Sequence, residues 1–133
     1  TEGIEPDMVT FVILLTACSH QGLVKEGQVY YHAMNTLYSL IPTQEHYTCM
    51  VDLYGRAGRL EKAAIVVENV PTLDRACVWS ALLGACQKWV NIDIGRWAFE
   101  NLVQLDADNS VALVCMSNMY SMQDDAKINL QRV

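Results

Sequence analysis

No stretch of this 133-residue sequence approaches the roughly 20 consecutive apolar residues that a membrane-crossing helix needs, although 52% of its residues are hydrophobic. The apolar residues come in short groups, which predicts a soluble, globular chain and not a disordered one. Zinc-binding cysteine pairs are missing as well: Cys18, Cys49, Cys77, Cys86 and Cys115 include no Cys-x-x-Cys, and no histidine stands at zinc-finger spacing. A metal site is therefore not expected. Five is also an odd count without a tight loop framework, which disfavours a secreted disulfide scaffold and favours buried free thiols or a reducing compartment. No basic, hydrophobic or Arg/Ser-rich leader follows Thr1, so any targeting segment is expected to lie outside these residues. Positive charge is scarce. Nine Lys and Arg against 15 Asp and Glu give a formal charge of −6, which weighs against a phosphate-binding surface. The imbalance is uneven: Glu2, Glu5 and Asp7 crowd the amino end, whereas Arg56, Arg59 and Lys62 cluster around one central turn.

Strand-like alternation is weak, and what is present has helical period. Pro6, Gly22, Pro42, Gly55, Gly58, Pro71, Gly84 and Gly95 punctuate the chain and leave helix-length segments between most of them. Tyr47, Met50, Val51 and Tyr54 stand at i, i+3, i+4 and i+7, and Leu60, Ala63, Ala64 and Val67 form the next apolar stripe. The Ala57-Gly58-Arg59 link between them is short enough to demand an antiparallel pair. Sliding the sequence over itself aligns Phe11, Tyr47, Trp79 and Leu113; Ile13, Cys49, Ala81 and Cys115; Leu14, Met50, Leu82 and Met116; and Cys18, Tyr54, Cys86 and Tyr120. Every cysteine except Cys77 is thereby expected in a core position. Gly22 and Gly58 match at the turn, where the third unit has Val90 and should use other geometry. The second helices align through Val24, Leu60 and Ile92, then through Gly27, Ala63 and Gly95, small residues that should let the two helices of a hairpin approach closely. The offsets of 36, 32 and 34 residues differ from a strict tetratricopeptide period of about 34. The expected fold is all-α, an α-solenoid of stacked antiparallel helix-turn-helix repeats forming a right-handed superhelical ribbon. After Tyr120 too few residues remain for a usual turn and second helix, so the last hairpin should be incomplete or distorted.

Whole phrases carry a resemblance. Gly3-Ile4-Glu5-Pro6-Asp7, Val9-Thr10-Phe11, Ala17-Cys18-Ser19-His20, Glu45-His46-Tyr47, Val51 through Leu60, Val78 through Cys86, and Ser117-Asn118-Met119-Tyr120 resemble the end of a PLS-class pentatricopeptide repeat protein of plants. By that comparison residues 1–7 close a P motif, 8–43 are an L motif, 44–75 an S motif, 76–109 a first E motif and 110–133 a truncated second E motif. The resemblance implies sequence-specific binding of single-stranded RNA in a mitochondrion or chloroplast, to direct cytidine-to-uridine editing, with the E motifs as a platform for editing partners or a DYW-type deaminase acting in trans. A membrane partner and a cofactor are not implied. The resemblance implies that the fifth and last residues of a P or S motif contact the base edge, with the same places in the L motif as weaker readers. Those positions are Val12 and Thr43 in the L motif, Thr48 with either Asp74 or Arg75 in the S motif, and Asp7 at the close of the P motif. Thr48 should project toward the concave groove and dominate selectivity, because its hydroxyl can both donate and accept.

Catalysis is not expected. Zinc-dependent deamination needs a His-x-Glu segment and a Pro-Cys-x-x-Cys segment, and the sequence has neither. Cys18 and His20 are near neighbours on one helix and point in different directions, a poor nucleophile and base. His20, His32 and His46 read as structural or exposed residues. Arg56, Arg59 and Lys62 read as solvated charges beside a turn. Trp79 reads as core, whereas Trp89 and Trp97 are candidates for a protein-contact surface. A helical-repeat scaffold that binds only protein is the alternative function.

Overall fold

A computed structural model describes residues 7–71 and 76–131, with side chains through residue 127. The described residues form seven α-helices and no strand: α1 (Met8–Gln21), α2 (Val24–Thr36), α3 (Gln44–Arg56), α4 (Leu60–Glu68), α5 (Ala76–Trp89), α6 (Ile92–Leu105) and α7 (Ser110–Gln131). The first helices begin at residues 8, 44, 76 and 110, offsets of 36, 32 and 34. Helices α1 and α2, α3 and α4, and α5 and α6 pair as hairpins, and α1, α3, α5 and α7 pack side by side in that order. This is a helical-repeat solenoid, with one continuous core running from Leu15 of α1 to Met119 of α7.

Local chemistry sets the helix ends. Asp7 caps α1 by accepting from the Thr10 backbone N–H at 2.9 Å, Asn91 caps α6 through Ile94 at 3.0 Å, and Asn109 caps α7 through Ala112 at 3.0 Å. Helices α1, α3 and α5 then end the same way. The amide of the residue after the turn donates back five positions: Leu23 to Cys18, Arg59 to Tyr54 and Asn91 to Cys86, each at 2.9 Å. The residue between adopts left-handed geometry, Gly22 at φ 71°, Gly58 at φ 77° and Val90 at φ 54°. The expectation that Val90 would use a different turn is thus corrected. The backward hydrogen bond fixes the conformation, and a β-branched residue is held where glycine sits in the other hairpins.

The columns of Phe11 and Cys18 are core columns in the three hairpins, whereas the column of Ile13, Cys49 and Ala81 is not, since Ile13 is 62% exposed and the other two are half-buried. Phe11, Tyr47 and Trp79 are buried, covered in the first and third hairpins by Tyr38 and Trp97, whose rings lie 5.7 Å and 4.6 Å away. Leu113 is the correction. It is 53% exposed, and Tyr120 in the Cys18 column is 38% exposed, because no second helix packs behind α7 among the described residues. Among the described residues the last unit is one uninterrupted 22-residue helix. Met116 and Met119 are buried on the flank that α7 turns toward α5 and α6.

The small-residue column also acts differently from expectation. Gly95 does face its own hairpin, with Cys86 Cβ 3.3 Å from where a side chain would start, but Met119 Cε of the following unit is closer, at 2.8 Å. Gly27 likewise lies against Leu53 of the next first helix and 3.6 Å from Cys18. One missing side chain therefore seats three helices. The two less constrained tryptophans are packing residues too. Trp97 stands edge-on to Trp79, and the Trp89 indole N–H donates to the Gly55 carbonyl at 2.6 Å while its ring lies 3.3 Å from where a side chain on Gly58 would start. Trp97 thus ties α6 to α5 within the third hairpin, and Trp89, though 48% exposed, ties that hairpin to the second. Of the four cysteines placed in the core, Cys18 and Cys86 are buried and Cys49 and Cys115 only half-buried; Cys77 is exposed. Burial pushes the Cys86 thiol up to about 12 and raises Cys18, Cys49 and Cys115 as well.

Four measurements check this packing. Val90→Gly should raise stability by roughly 0.5–1 kcal/mol in urea unfolding, since relief of left-handed strain exceeds the entropy cost of glycine; an unchanged or lower midpoint means the turn is not strained. Gly95→Val should cost about 1–3 kcal/mol by overpacking against Met119. Gly84→Ala, where an added Cβ meets nothing within 4 Å, should gain roughly 0.5–1 kcal/mol instead. In the folded chain, iodoacetamide should modify Cys77 first and leave Cys86 untouched until denaturant is added; equal rates would contradict the burial pattern.

Candidate nucleic-acid interface

The first helices share a face that the hairpin partners do not cover. On α3 it carries Thr48, Asp52 and Arg56 at four-residue steps, and on α5 it carries Ser80, Gly84 and Lys88 at the same steps, 32 residues on in each case. Two open clefts lie along it. The first, about 650 Å³, is lined by Met8, Val9, Val12, Thr43, Thr48 and Cys77 among others. The second, about 280 Å³, runs between α3 and α5 and is lined by Asp52, Arg56, Ser80, Gly84 and Lys88 over a floor of Gly55, Ala81 and Ala85.

Three of the residues singled out from the sequence meet in the first cleft: Val12, Thr43 and Thr48. Their chemistry is narrower than the sequence suggests. The Thr48 hydroxyl donates to the Gln44 carbonyl at 2.9 Å, so its proton is engaged within the helix and its oxygen is left as an acceptor. Thr43 opens α3. Its backbone N–H donates to His46 Nδ1 at 3.1 Å and its hydroxyl lies 2.8 Å from the same nitrogen. His46 is buried, and its Nε2 stands 2.9 Å from the Met8 carbonyl, so that nitrogen carries the proton. A histidine thus does the work of the usual glutamate in a capping box and links α3 to α1. Asp7 does not line the cleft. Its carboxylate accepts from the Thr10 amide and hydroxyl, both at 2.9 Å, and these bonds hold it below its ordinary range. Asp74 and Arg75 lie outside the described residues.

The cluster of Arg56, Arg59 and Lys62 is not one patch. Lys62 is on α4, 6.0 Å from the Tyr54 ring, and Arg59 sits in the turn, whereas Arg56 shares the second cleft with Lys88. Sequence reading missed Lys88, Asp52 and Ser80; the signal was there, since each lies in register with a residue already noted. Burial raises the Asp52 carboxyl, opposed by the positive charges of Arg56 and His20. Among the described residues no group of three or more His, Cys, Asp or Glu side chains is arranged to hold a metal ion. No described helix is long and apolar enough to cross a membrane.

Stacked helical hairpins with an uncovered first-helix face define a helical-repeat protein. The family model of the PPR repeat, the pentatricopeptide repeat, matches residues 9–37 and 45–69, so the first two hairpins are pentatricopeptide repeats. Relatives in Arabidopsis thaliana extend the likeness over the whole fold. One pentatricopeptide repeat-containing protein is 44% identical over 124 residues, covering 93% of this chain and 21% of the relative. A second is 46% identical over 120 residues, 90% of this chain and 15% of the relative. A third, 45% identical over 119 residues, 90% of this chain and 19% of the relative, is named a putative mitochondrial pentatricopeptide repeat-containing protein. Across the curated relatives that it resembles, the chain spans 14–22% of their length.

Proposed function

We propose that this chain is part of a sequence-specific single-stranded RNA-binding surface in an organelle, at the recognition end of a factor that directs cytidine-to-uridine editing. The observation that carries the reading is the first cleft, which collects Val12 and Thr48, residues 36 apart in sequence, on one uncovered face of the first helices. Repeat spacing that presents one such position per unit suits a strand read one base at a time. In this reading residues 8–43 are the L repeat, 44–75 the S repeat, and 76–109 and 110–133 the E-type units. The RNA is read by Thr48 with Asp74 or Arg75, flanked by Val12 and Thr43. Thr43 is the weaker reader, because its polar groups are already bonded to His46. No catalytic role falls to the chain; a deaminase or other editing protein docks in trans on α5 to α7. Localisation follows as mitochondrion or chloroplast, and the mitochondrial name of one relative supports the former.

The alternative, a scaffold that binds protein alone, draws on α7, where Val111, Leu113 and Val114 are 71%, 53% and 56% exposed. Binding of the chain to RNAs varied at one aligned base separates the two. The Thr48 oxygen acts as an acceptor and favours a base edge that donates, and Thr48→Asn, which adds an amide donor, should shift preference at that base alone by about 1 kcal/mol. An unchanged base profile removes Thr48 from the recognition site, and absence of RNA binding by the unaltered chain leaves the protein scaffold.

A further inference from the structure

His46 also lines the first cleft, although only 1% of it is exposed. Its two ring nitrogens have opposite and fixed roles. The Thr43 backbone N–H can only donate, so Nδ1, 3.1 Å away, is bare; the Met8 carbonyl can only accept, so Nε2, 2.9 Å away, holds the ring proton. The Thr43 hydroxyl stands 2.8 Å from the same bare nitrogen and must therefore donate to it, which leaves the hydroxyl oxygen as an acceptor. The Thr48 hydroxyl, donating to the Gln44 carbonyl at 2.9 Å, is fixed in the same sense. Both threonines of the cleft thus offer oxygen lone pairs, one set by its own helix and the other by a histidine.

This arrangement occurs at one junction among the described residues. His46 is the third residue of α3, and the third residues of α1, α5 and α7 are Thr10, Val78 and Ala112. Val78 and Ala112 are buried and apolar, and the Thr10 hydroxyl donates to Asp7. Val12, the other residue of the first hairpin singled out for base reading, has no polar side-chain atom, so the polarity of its position rests on Thr43 and hence on His46. The bond to Met8, 38 residues back, also ties the start of α3 to the start of α1, where Met8 and Val12 line the cleft.

On this geometry we infer that His46 is a specificity-determining positioning residue: by engaging the proton of the Thr43 hydroxyl, it makes the Val12 and Thr43 position favour adenine or cytosine over uracil. The exocyclic amino group of adenine or cytosine donates to the threonine oxygen, whereas the corresponding uracil edge brings a carbonyl oxygen against it. His46 itself touches no base. This assignment rests on the RNA-binding reading above and deepens it, naming the class of base that the first hairpin takes.

The test sets the unaltered chain beside its His46→Gln, His46→Leu and Thr43→Val variants, using short single-stranded RNAs that carry adenine, cytosine or uracil at each position in turn. The unaltered chain should disfavour uracil at the Thr43 position by about threefold, toward the low end for one hydrogen bond. Thr43→Val should abolish that preference and keep the one at the Thr48 position. His46→Gln, whose amide offers an oxygen to Thr43 and an N–H to the Met8 carbonyl, should keep both. His46→Leu releases the Thr43 hydroxyl to donate as well as accept, and should level the bases at that position alone. A changed profile in His46→Gln, or an unchanged one in Thr43→Val, overturns the inference and leaves the reading at Thr48 standing. Weakening of His46→Leu evenly across all bases overturns it too, in favour of a purely structural histidine. Where His46→Leu does not fold, nitrogen NMR of the unaltered chain decides: a proton on Nε2 with Nδ1 bare supports the inference, and the reverse tautomer overturns it. No RNA binding by the unaltered chain overturns both readings.

Discussion

Close approach at one column of small residues governs how the units stack. Gly27 and Gly95 lie where a second helix, its own first helix and the next first helix converge, and Leu53 and Met119 fill the space that a side chain there would claim. Interiors pack at crystal-like density, so a methyl group at such a point moves three helices and not one. The pitch from unit to unit, and with it the alignment of the uncovered face, follows from that contact. Trp89 strengthens it between the second and third hairpins by donating to the Gly55 carbonyl.

The turns impose a second constraint. All three hairpins reverse through a left-handed residue, and Val90 occupies that conformation without being glycine. The backward hydrogen bond from Asn91 to Cys86 holds it there. A conformation disfavoured for the residue persists because the hairpin geometry over-determines it. The third hairpin therefore follows the same path as the first two despite departing from their sequence at its turn.

Function on this scaffold is a matter of which face remains open. Helices α2, α4 and α6 cover one side of α1, α3 and α5 and leave the other side with two adjoining clefts. Polar groups on the open side are not equivalent. Those at helix starts, Asp7, Thr43 and His46, are drawn into capping, whereas Thr48, Ser80, Arg56 and Lys88 stand beyond the first turn.

The sequence by itself determined the helices, their pairing and the offsets between units, because apolar periodicity, turn glycines and short links are local and each repeat states them again. The family resemblance also singled out Val12, Thr43 and Thr48, and the fold brings them together in one cleft. The stacked structure alone decided the rest. Leu113 and Tyr120 share core columns by alignment yet are exposed, since burial belongs to the neighbour that covers a position. Trp97 and Trp89 looked unconstrained because their partners, Trp79 and Gly55, lie 18 and 34 residues away. Val90 was misjudged from its identity, since backbone hydrogen bonds outweighed its preference. Arg56 was grouped with its sequence neighbours, but a helix turns about 100° per residue, so its companion across the groove is Lys88 from the next unit. Periodicity names the faces of a helix; only packing against other helices settles which face meets solvent and which side chains meet across it.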